Sequence, residues 1–298
     1  MSLVSESKRH ILKHFPHSAR RVARTYRSVK AAVYARYFKL FPGFAFAIRE
    51  LRQGARREHK SSFGMSLVGE RGLVHGFEPE EIALVEEHLQ STDVFVDVGA
   101  NIGLYTCLAA SKGRPVVAIE PLASNLRYLY RNVLKNELKE VEIFPIGLSS
   151  IPGLSILKGI GPQASFLRDW AGADLPFNQH IENICPVSTL DNILGNRFAG
   201  KRLFIKIDVE GFEYYVLQGA IKTLEMSPKP IWMIECFMDK HHPNGKNPAF
   251  LQTFGLFFER GYKARTASLN GSSVSWEDVV RWTSQGSVDQ GFYNFLFL

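Results

Sequence analysis

The chain has 298 residues, 45% of them hydrophobic, and a net charge of +7. That is enough apolar side chain for a core of ordinary size, so one domain of about 200–250 residues plus an extension is the natural division. Three widely spaced cysteines, Cys107, Cys185 and Cys236, exclude a disulfide framework or a thiolate metal centre and point to a reducing, cytoplasmic compartment.

The charge is unevenly spread. Residues 1–60 carry 15 Lys+Arg against 3 Asp+Glu, and the other 238 carry 21 against 26. The first residues lack the apolar stretch of a secretory leader, and no apolar run reaches the roughly 18–20 residues that cross a bilayer. Between Ala19 and Leu40 apolar residues recur three or four apart, with Arg20, Arg21, Arg24, Arg27, Lys30 and Arg36 interleaved. This predicts a basic amphipathic helix over 18–41, capped by Ser18 and stopped by Pro42 and Gly43. Such a helix suits an anionic membrane surface, which would make the protein peripheral there, or a polyanionic partner. It equally suits packing on the domain with a solvated basic face, and an Arg-rich transit peptide is a third reading. The polar stretch 53–63 reads as a linker, dividing the chain into an extension over 1–61 and a domain over 62–298.

Within the domain, Pro79 opens a helix over 80–90, and a strand over 93–97 ends in Asp97. Gly99 and Gly103 follow, then a helix over 104–111. A second strand, 116–120, ends in Glu120; a helix over 122–136 leads to a third strand, 141–146. Residues 147–186 show no period and read as a long covering loop. A fourth strand runs over 203–209 into Glu210 and Gly211, followed by a helix over 212–226. A fifth strand, 231–235, ends in Glu235. The chain closes with a helix over 248–260, a strand over 262–266 and a last strand over 293–298. Strands alternating with helices before a β-rich finish predict an α/β fold. The expected form is a doubly wound, mostly parallel, Rossmann-like sheet of seven strands with an antiparallel edge, preceded by the basic helical extension.

Ligands of such sheets bind beyond the carboxyl ends of the strands, where strand order reverses. Asp97, Glu120, Asp208, Glu210 and Glu235 all fall there, and buried acids without partners are costly. Gly99 permits a tight turn and close backbone approach to a ligand. Glu120, 17 residues after Gly103, is placed to accept from the hydroxyls of a ribose. The glycine pattern that cradles a diphosphate is missing, which disfavours NAD and FAD and leaves a ribose-bearing ligand such as S-adenosylmethionine. Lys206, Asp208 and Glu210 share a face if the strand persists, so Asp208, Glu210 or Glu235 is positioned to polarise an acceptor hydroxyl. The competing reading is a structural Lys206–Asp208 ion pair with Glu210 fixing the turn. The three carboxylates could also hold Mg²⁺, although carboxylates alone do not specify a metal and none is assigned. His241 and His242 read either as solvated or as a base or acceptor contact. Cys185 reads as part of a strand entering the core rather than as a nucleophile.

The chain resembles the FkbM-type S-adenosylmethionine-dependent methyltransferases, which have the class I methyltransferase fold. The resemblance rests on Asp97-Val-Gly-Ala-Asn-Ile-Gly103, on Ile119-Glu120-Pro121 with Asn125, Leu129 and Asn132, and on Ile146-Gly-Leu-Ser149. It continues through Val187-Ser-Thr-Leu-Asp191 and Lys206-Ile-Asp-Val-Glu-Gly-Phe-Glu213, then Val216-Leu-Gln-Gly-Ala220 and Ile234-Glu235. It implies that Asp97, Gly99, Asn101 and Gly103 hold the methionine part of the donor and Glu120 its ribose, with adenine against Pro121 and the Gly147 backbone. The implied reaction is methyl transfer to a hydroxyl, of a sugar in a glycan, glycolipid or related metabolite. An RNA methyltransferase guided by the basic arm and a non-catalytic binding module remain as alternatives. The absence of base-methylation motifs weighs against nucleic acid.

Overall fold

The computed structural model describes residues 58–69, 74, 78–159, 161, 164–167, 181–239, 242 and 245–298. The expected basic helix over 18–41 and His241 lie outside the described residues. A hairpin comes first, β1 (Glu58–Lys60) with β2 (Ser66–Val68). Then follow α1 (Pro79–Leu89), β3 (Val94–Val98), α2 (Leu104–Ser111), β4 (Val116–Ile119), α3 (Ala123–Lys135) and β5 (Val141–Phe144). Next come β6 (Gly147–Leu148), β7 (Gly153–Lys158), β8 (Glu182–Ser188), α4 (Leu190–Leu194), β9 (Leu203–Ile207), α5 (Glu213–Gln218) and α6 (Ile221–Leu224). The chain ends with β10 (Ile231–Glu235), α7 (Phe250–Phe258), β11 (Ala264–Thr266), β12 (Ser273–Val274), α8 (Trp276–Gln285) and β13 (Asn294–Phe297).

The main sheet has the order β12-β11-β13-β10-β9-β3-β4-β5. The five strands from β5 to β10 are parallel, and β13, β11 and β12 form the antiparallel edge. The sheet thus has eight strands rather than seven. The additional one, β12, is two residues long, too short for a periodic signal.

The pleat divides the side chains between two apolar layers. Val94, Val96 and Val98 join one core with Leu203, Ile205 and Ile207, whereas Phe95 and Phe204 join the other. Successive residues of a strand point to opposite faces, and with both faces covered the central strands read as unbroken apolar runs.

Several elements differ from expectation: β1 falls inside the stretch 53–63 that reads as a linker, and α4 was not anticipated. The covering segment contains a second sheet, β6-β8-β7. Its pattern is blurred because both faces are apolar: Cys185 and Val187 point inward while Leu154 and Ile184 are exposed. The helix expected over 212–226 is broken into α5 and α6 at Gly219, where a Cβ would collide with the Ser149 carbonyl. Asp191 supports the restart, its carboxylate accepting from Lys222 N–H (2.9 Å), Thr223 N–H (2.9 Å) and the Thr223 hydroxyl (2.7 Å). Helix α8 was not anticipated, although Ser275 and Asp278 form a capping box at its start and Val279 and Trp282 bury its inner side.

Candidate active site

Strand order reverses at β3, which leads through α2 to β4 on one side yet pairs with β9 on the other. The turn after β3 therefore sits at the crevice that this architecture leaves open. Register then decides which side chains meet there. Asp97 is paired with Lys206, and Lys206 with Met233. Side chains two apart share a face, so Asp97, Lys206, Asp208 and Glu235 are brought to one face at the carboxyl ends of three adjacent strands.

One cleft holds all of the sequence-predicted residues except Gly103. It is lined by Asp97, Gly99, Asn101, Glu120, Asp208, Glu210 and Glu235, with Glu78, Tyr105, Lys206 and the apolar Pro121, Ile146, Leu157 and Phe166. Gly103 instead starts α2 with φ +87°, and a Cβ there would meet Leu129 Cδ1 at 2.5 Å. Gly99 has φ +83°, and its missing Cβ makes room for the Asp208 carbonyl. The close approach that needs glycine at 99 is thus made by the backbone after β9. Asn101, between them, is also left-handed, with φ +51°, a conformation its short amide side chain tolerates. The Asn101 Oδ1 atom is buried without a hydrogen-bond partner, an unmet acceptor in the cleft wall.

Glu120 is buried and already engaged. Oε2 accepts from Asn101 N–H (2.8 Å), and Oε1 from Leu122 N–H (2.8 Å) and Asn125 Nδ2 (3.3 Å). A carboxylate has about four acceptor positions, so room remains for one further strong donor unless Asn125 gives way. Burial, only partly offset by these bonds, raises its pKa from 4.5 to about 7. Asp97 is raised too, first by burial, while Lys206 and the Thr106 hydroxyl (2.6 Å to Oδ2) pull it down.

Lys206 Nζ lies 2.8 Å from Asp208 Oδ2 and 4.6 Å from the centre of the Tyr105 ring. Burial opposes its charge, but Asp208, Glu78 and Asp97 outweigh this and raise its pKa. The ion pair weighed at the sequence level is therefore present, although β9 ends at Ile207 and Glu210 sits in a left-handed turn with φ +56°. Oxygens of Asp208, Glu210 and Glu235 all lie within 4.8 Å of one another. Burial first, then Asp208 and Glu210, push the Glu235 carboxyl well up. The turn between Asp208 and α5 is held by Glu213, whose Oε1 accepts from Gly211 N–H (2.9 Å) and Val209 N–H (3.3 Å). The covering sheet is tied to the same turn, the Ser165 hydroxyl donating to the Glu210 carbonyl (2.7 Å).

Glu78 escaped the sequence reading. It precedes α1 with φ +42°, and its Oε2 accepts from the Tyr105 hydroxyl (2.6 Å). Only the Glu-Pro helix start was visible locally, and nothing in the period tied it to strands over a hundred residues away. His242 is buried and does not line the cleft. Cys185 is buried, and burial, then Glu120, raise its thiol pKa, the reverse of what a nucleophile needs.

Comparisons with known proteins give the family of the chain. The chain is 34% identical over 160 residues to the AMB antimetabolite synthetase AmbE of Pseudomonas aeruginosa, a match covering 42% of this chain and 8% of that one. It is 28% identical over 152 residues to the hexuronic acid methyltransferase AglP of Haloferax volcanii, covering 50% of this chain and 58% of that one. The chain thus spans only part of the length of either relative. The crystal structure of Methyltransferase FkbM from Methylobacillus flagellatus aligns at 18% identity with a TM-score of 0.42, over 70% of this chain and 44% of that one. The profile of the Methyltransferase FkbM domain matches residues 97–264, from the acid of the first glycine turn to the first residue of β11. The chain therefore belongs to the FkbM methyltransferase family.

Proposed function

We propose that the protein transfers the methyl group of S-adenosylmethionine to a hydroxyl, in a saccharide or a related metabolite. The observation that carries this reading is the convergence of six carboxylates and, among the described residues, a single lysine on one cleft at the switch point of the sheet. The donor has a sulfonium, an ammonium and a carboxylate, a net positive charge that suits such a cleft. In this reading Asp97, Gly99, Asn101 and Gly103 shape the methionine end, and the unpaired Asn101 Oδ1 accepts from a donor N–H. Glu120 accepts from the ribose, and Pro121, Leu157 and Phe166 with the Gly147 backbone flank the adenine.

S-adenosylmethionine supplies a methyl group already activated on a positive sulfur. The chain's own contribution is then alignment and a base for the acceptor proton. Asp208, Glu210 and Glu235 are that base as a group: burial, then the neighbouring Asp208 and Glu210, raise the proton affinity of Glu235, while Lys206 holds Asp208 in place. The sugar acceptor draws support from the relative described as a hexuronic acid methyltransferase. Among the described lining residues six acids face one lysine, a balance that suits a small acceptor better than a nucleic acid, whose phosphates need Lys and Arg. In this proposal the methyltransferase domain expected over 62–298 also takes in strand β1 at Glu58–Lys60, and the residues before it are a basic extension suited to an anionic membrane surface.

Calorimetry with S-adenosylmethionine tests the donor half. Asp97→Asn and Glu120→Ala should each weaken binding about 10- to 100-fold, the value of a lost charged hydrogen bond, with the fold checked by circular dichroism. Unchanged affinity in both variants would place the donor elsewhere. Glu210→Gln and Glu235→Gln should keep donor affinity and lower turnover by about 100-fold or more, the usual contribution of a general base. Full activity in both would remove the base from this cluster.

A further inference from the structure

Beside the donor cleft lies a second groove, lined by Glu78, Glu81, Ser268, Phe292, Tyr293 and Asn294 among others. Glu78 belongs to both. The sheet joins them as well. Asn294 is paired in register with Glu235, and Cys236 N–H donates to the Tyr293 carbonyl (2.6 Å). The start of β13 therefore runs along the end of β10, and the groove opens next to the carboxylates assigned to the acceptor proton.

Its chemistry is of one kind. The Tyr293 ring stacks on Phe237 at 4.6 Å and 21°, and Phe292 adds a second aromatic wall. A flat aromatic surface braced from behind packs well against the C–H face of a pyranose ring, and its hydroxyl edge can still reach polar partners. Asn294 Nδ2 donates to Glu81 Oε1 (3.2 Å), and the Tyr105 hydroxyl to Glu78 Oε2 (2.6 Å). Both carboxylates are thereby oriented and keep acceptor capacity for incoming hydroxyls. Glu80 stands on the rim, and the described lining has no Lys, Arg or His. Burial, then Glu235, Glu78 and Glu81, raise the Tyr293 phenol, so it feels the acids of both cavities. An anionic ligand would meet Glu78, Glu80 and Glu81 with no cation in the described lining, which is selection by repulsion.

We infer that this groove is the acceptor subsite and that it takes an uncharged or amino-bearing pyranose and rejects an acidic one. Tyr293 carries the ring face, and Glu78 and Glu81 accept from its hydroxyls or ammonium. The inference rests on the methyltransferase reading above and narrows its acceptor class, setting it apart from the hexuronic acid named for one relative.

The test is saturation-transfer NMR on the full chain with S-adenosylhomocysteine bound, using methyl glucoside, methyl glucosaminide and methyl glucuronide as probes. The first two should receive saturation, and the glucuronide about fivefold less or none. Tyr293→Ala and Glu81→Gln should each cut the signal by about fivefold and leave S-adenosylhomocysteine affinity within about twofold in calorimetry. Glu80→Lys, on the exposed rim, should raise the glucuronide signal, a gain that misfolding cannot produce. Equal or stronger glucuronide binding, insensitivity to all three variants, or no glycoside bound while S-adenosylhomocysteine binds would each overturn the inference. Failure of S-adenosylhomocysteine to bind the unaltered protein would instead strike the underlying reading.

Discussion

Glu120 shows how one buried side chain sets a pH response. Its pKa and that of Glu213 are both raised from 4.5 to about 7, by burial above all. Between those values the folded chain holds more protons than the unfolded one, so these two groups make stability fall as pH rises through that window and level off above it. Donor binding runs the other way, because ribose hydroxyls donate to an ionised carboxylate. Affinity for S-adenosylmethionine should therefore rise with pH between 5.5 and about 7, by up to about tenfold per unit, then flatten. Calorimetry across that range checks it, and Glu120→Gln should remove the slope while Glu213 still titrates. A level profile in the unaltered protein would mean that Glu120 does not meet the ribose. The acids at the strand ends were legible in the sequence because each closes a short apolar run. Their existing partners were not, since Asn101 and Leu122 reach Glu120 through backbone N–H groups that no side-chain pattern records.

Among the elements, α3 does more than cover the sheet. Asn132 on its inner side is fully buried, with Oδ1 accepting from Val68 N–H (2.7 Å) and Nδ2 donating to the Val68 carbonyl (3.1 Å) and the Ile102 carbonyl (2.8 Å). One amide thus fastens strand β2 and the glycine turn to the same helix. Asn132→Leu leaves three buried backbone groups unpaired and should cost about 3 kcal/mol or more in denaturant unfolding. Donor affinity should drop with it, since Ile102 lies within the turn. An unchanged unfolding midpoint would show that water or a shifted backbone replaces the amide. The helices and central strands of the parallel half were readable because each has a buried stripe or an unbroken apolar run. Of the β6-β8-β7 sheet only the strand around Cys185 was, because Leu154, Ile156 and Ile184 are apolar yet face outward and hide the alternation. Helix α8 was recoverable from its Ser275–Asp278 cap, a signal that outweighs its modest apolar content.

At the scale of the molecule, charge is sorted by place. The first sixty residues hold all of the positive excess, while the rest of the chain carries more acids than bases. Within that acidic remainder, Glu78, Asp97, Glu120, Asp208, Glu210 and Glu235 face Lys206 across one cleft. A low-dielectric crevice lined by one sign of charge concentrates its field on whatever enters, and added salt weakens that field. The donor and its product differ by the positive charge on sulfur, which is lost on transfer. Raising ionic strength from about 0.02 to 0.5 M shortens the screening length from roughly 20 to 4 Å. S-adenosylmethionine affinity should then fall severalfold, while that of S-adenosylhomocysteine changes far less. Parallel titrations of the two ligands across that range provide the measurement. Equal salt dependence would show that the carboxylates act on the shared amino-acid end and leave the sulfur unfelt, and the cleft would then discriminate donor from product by shape alone.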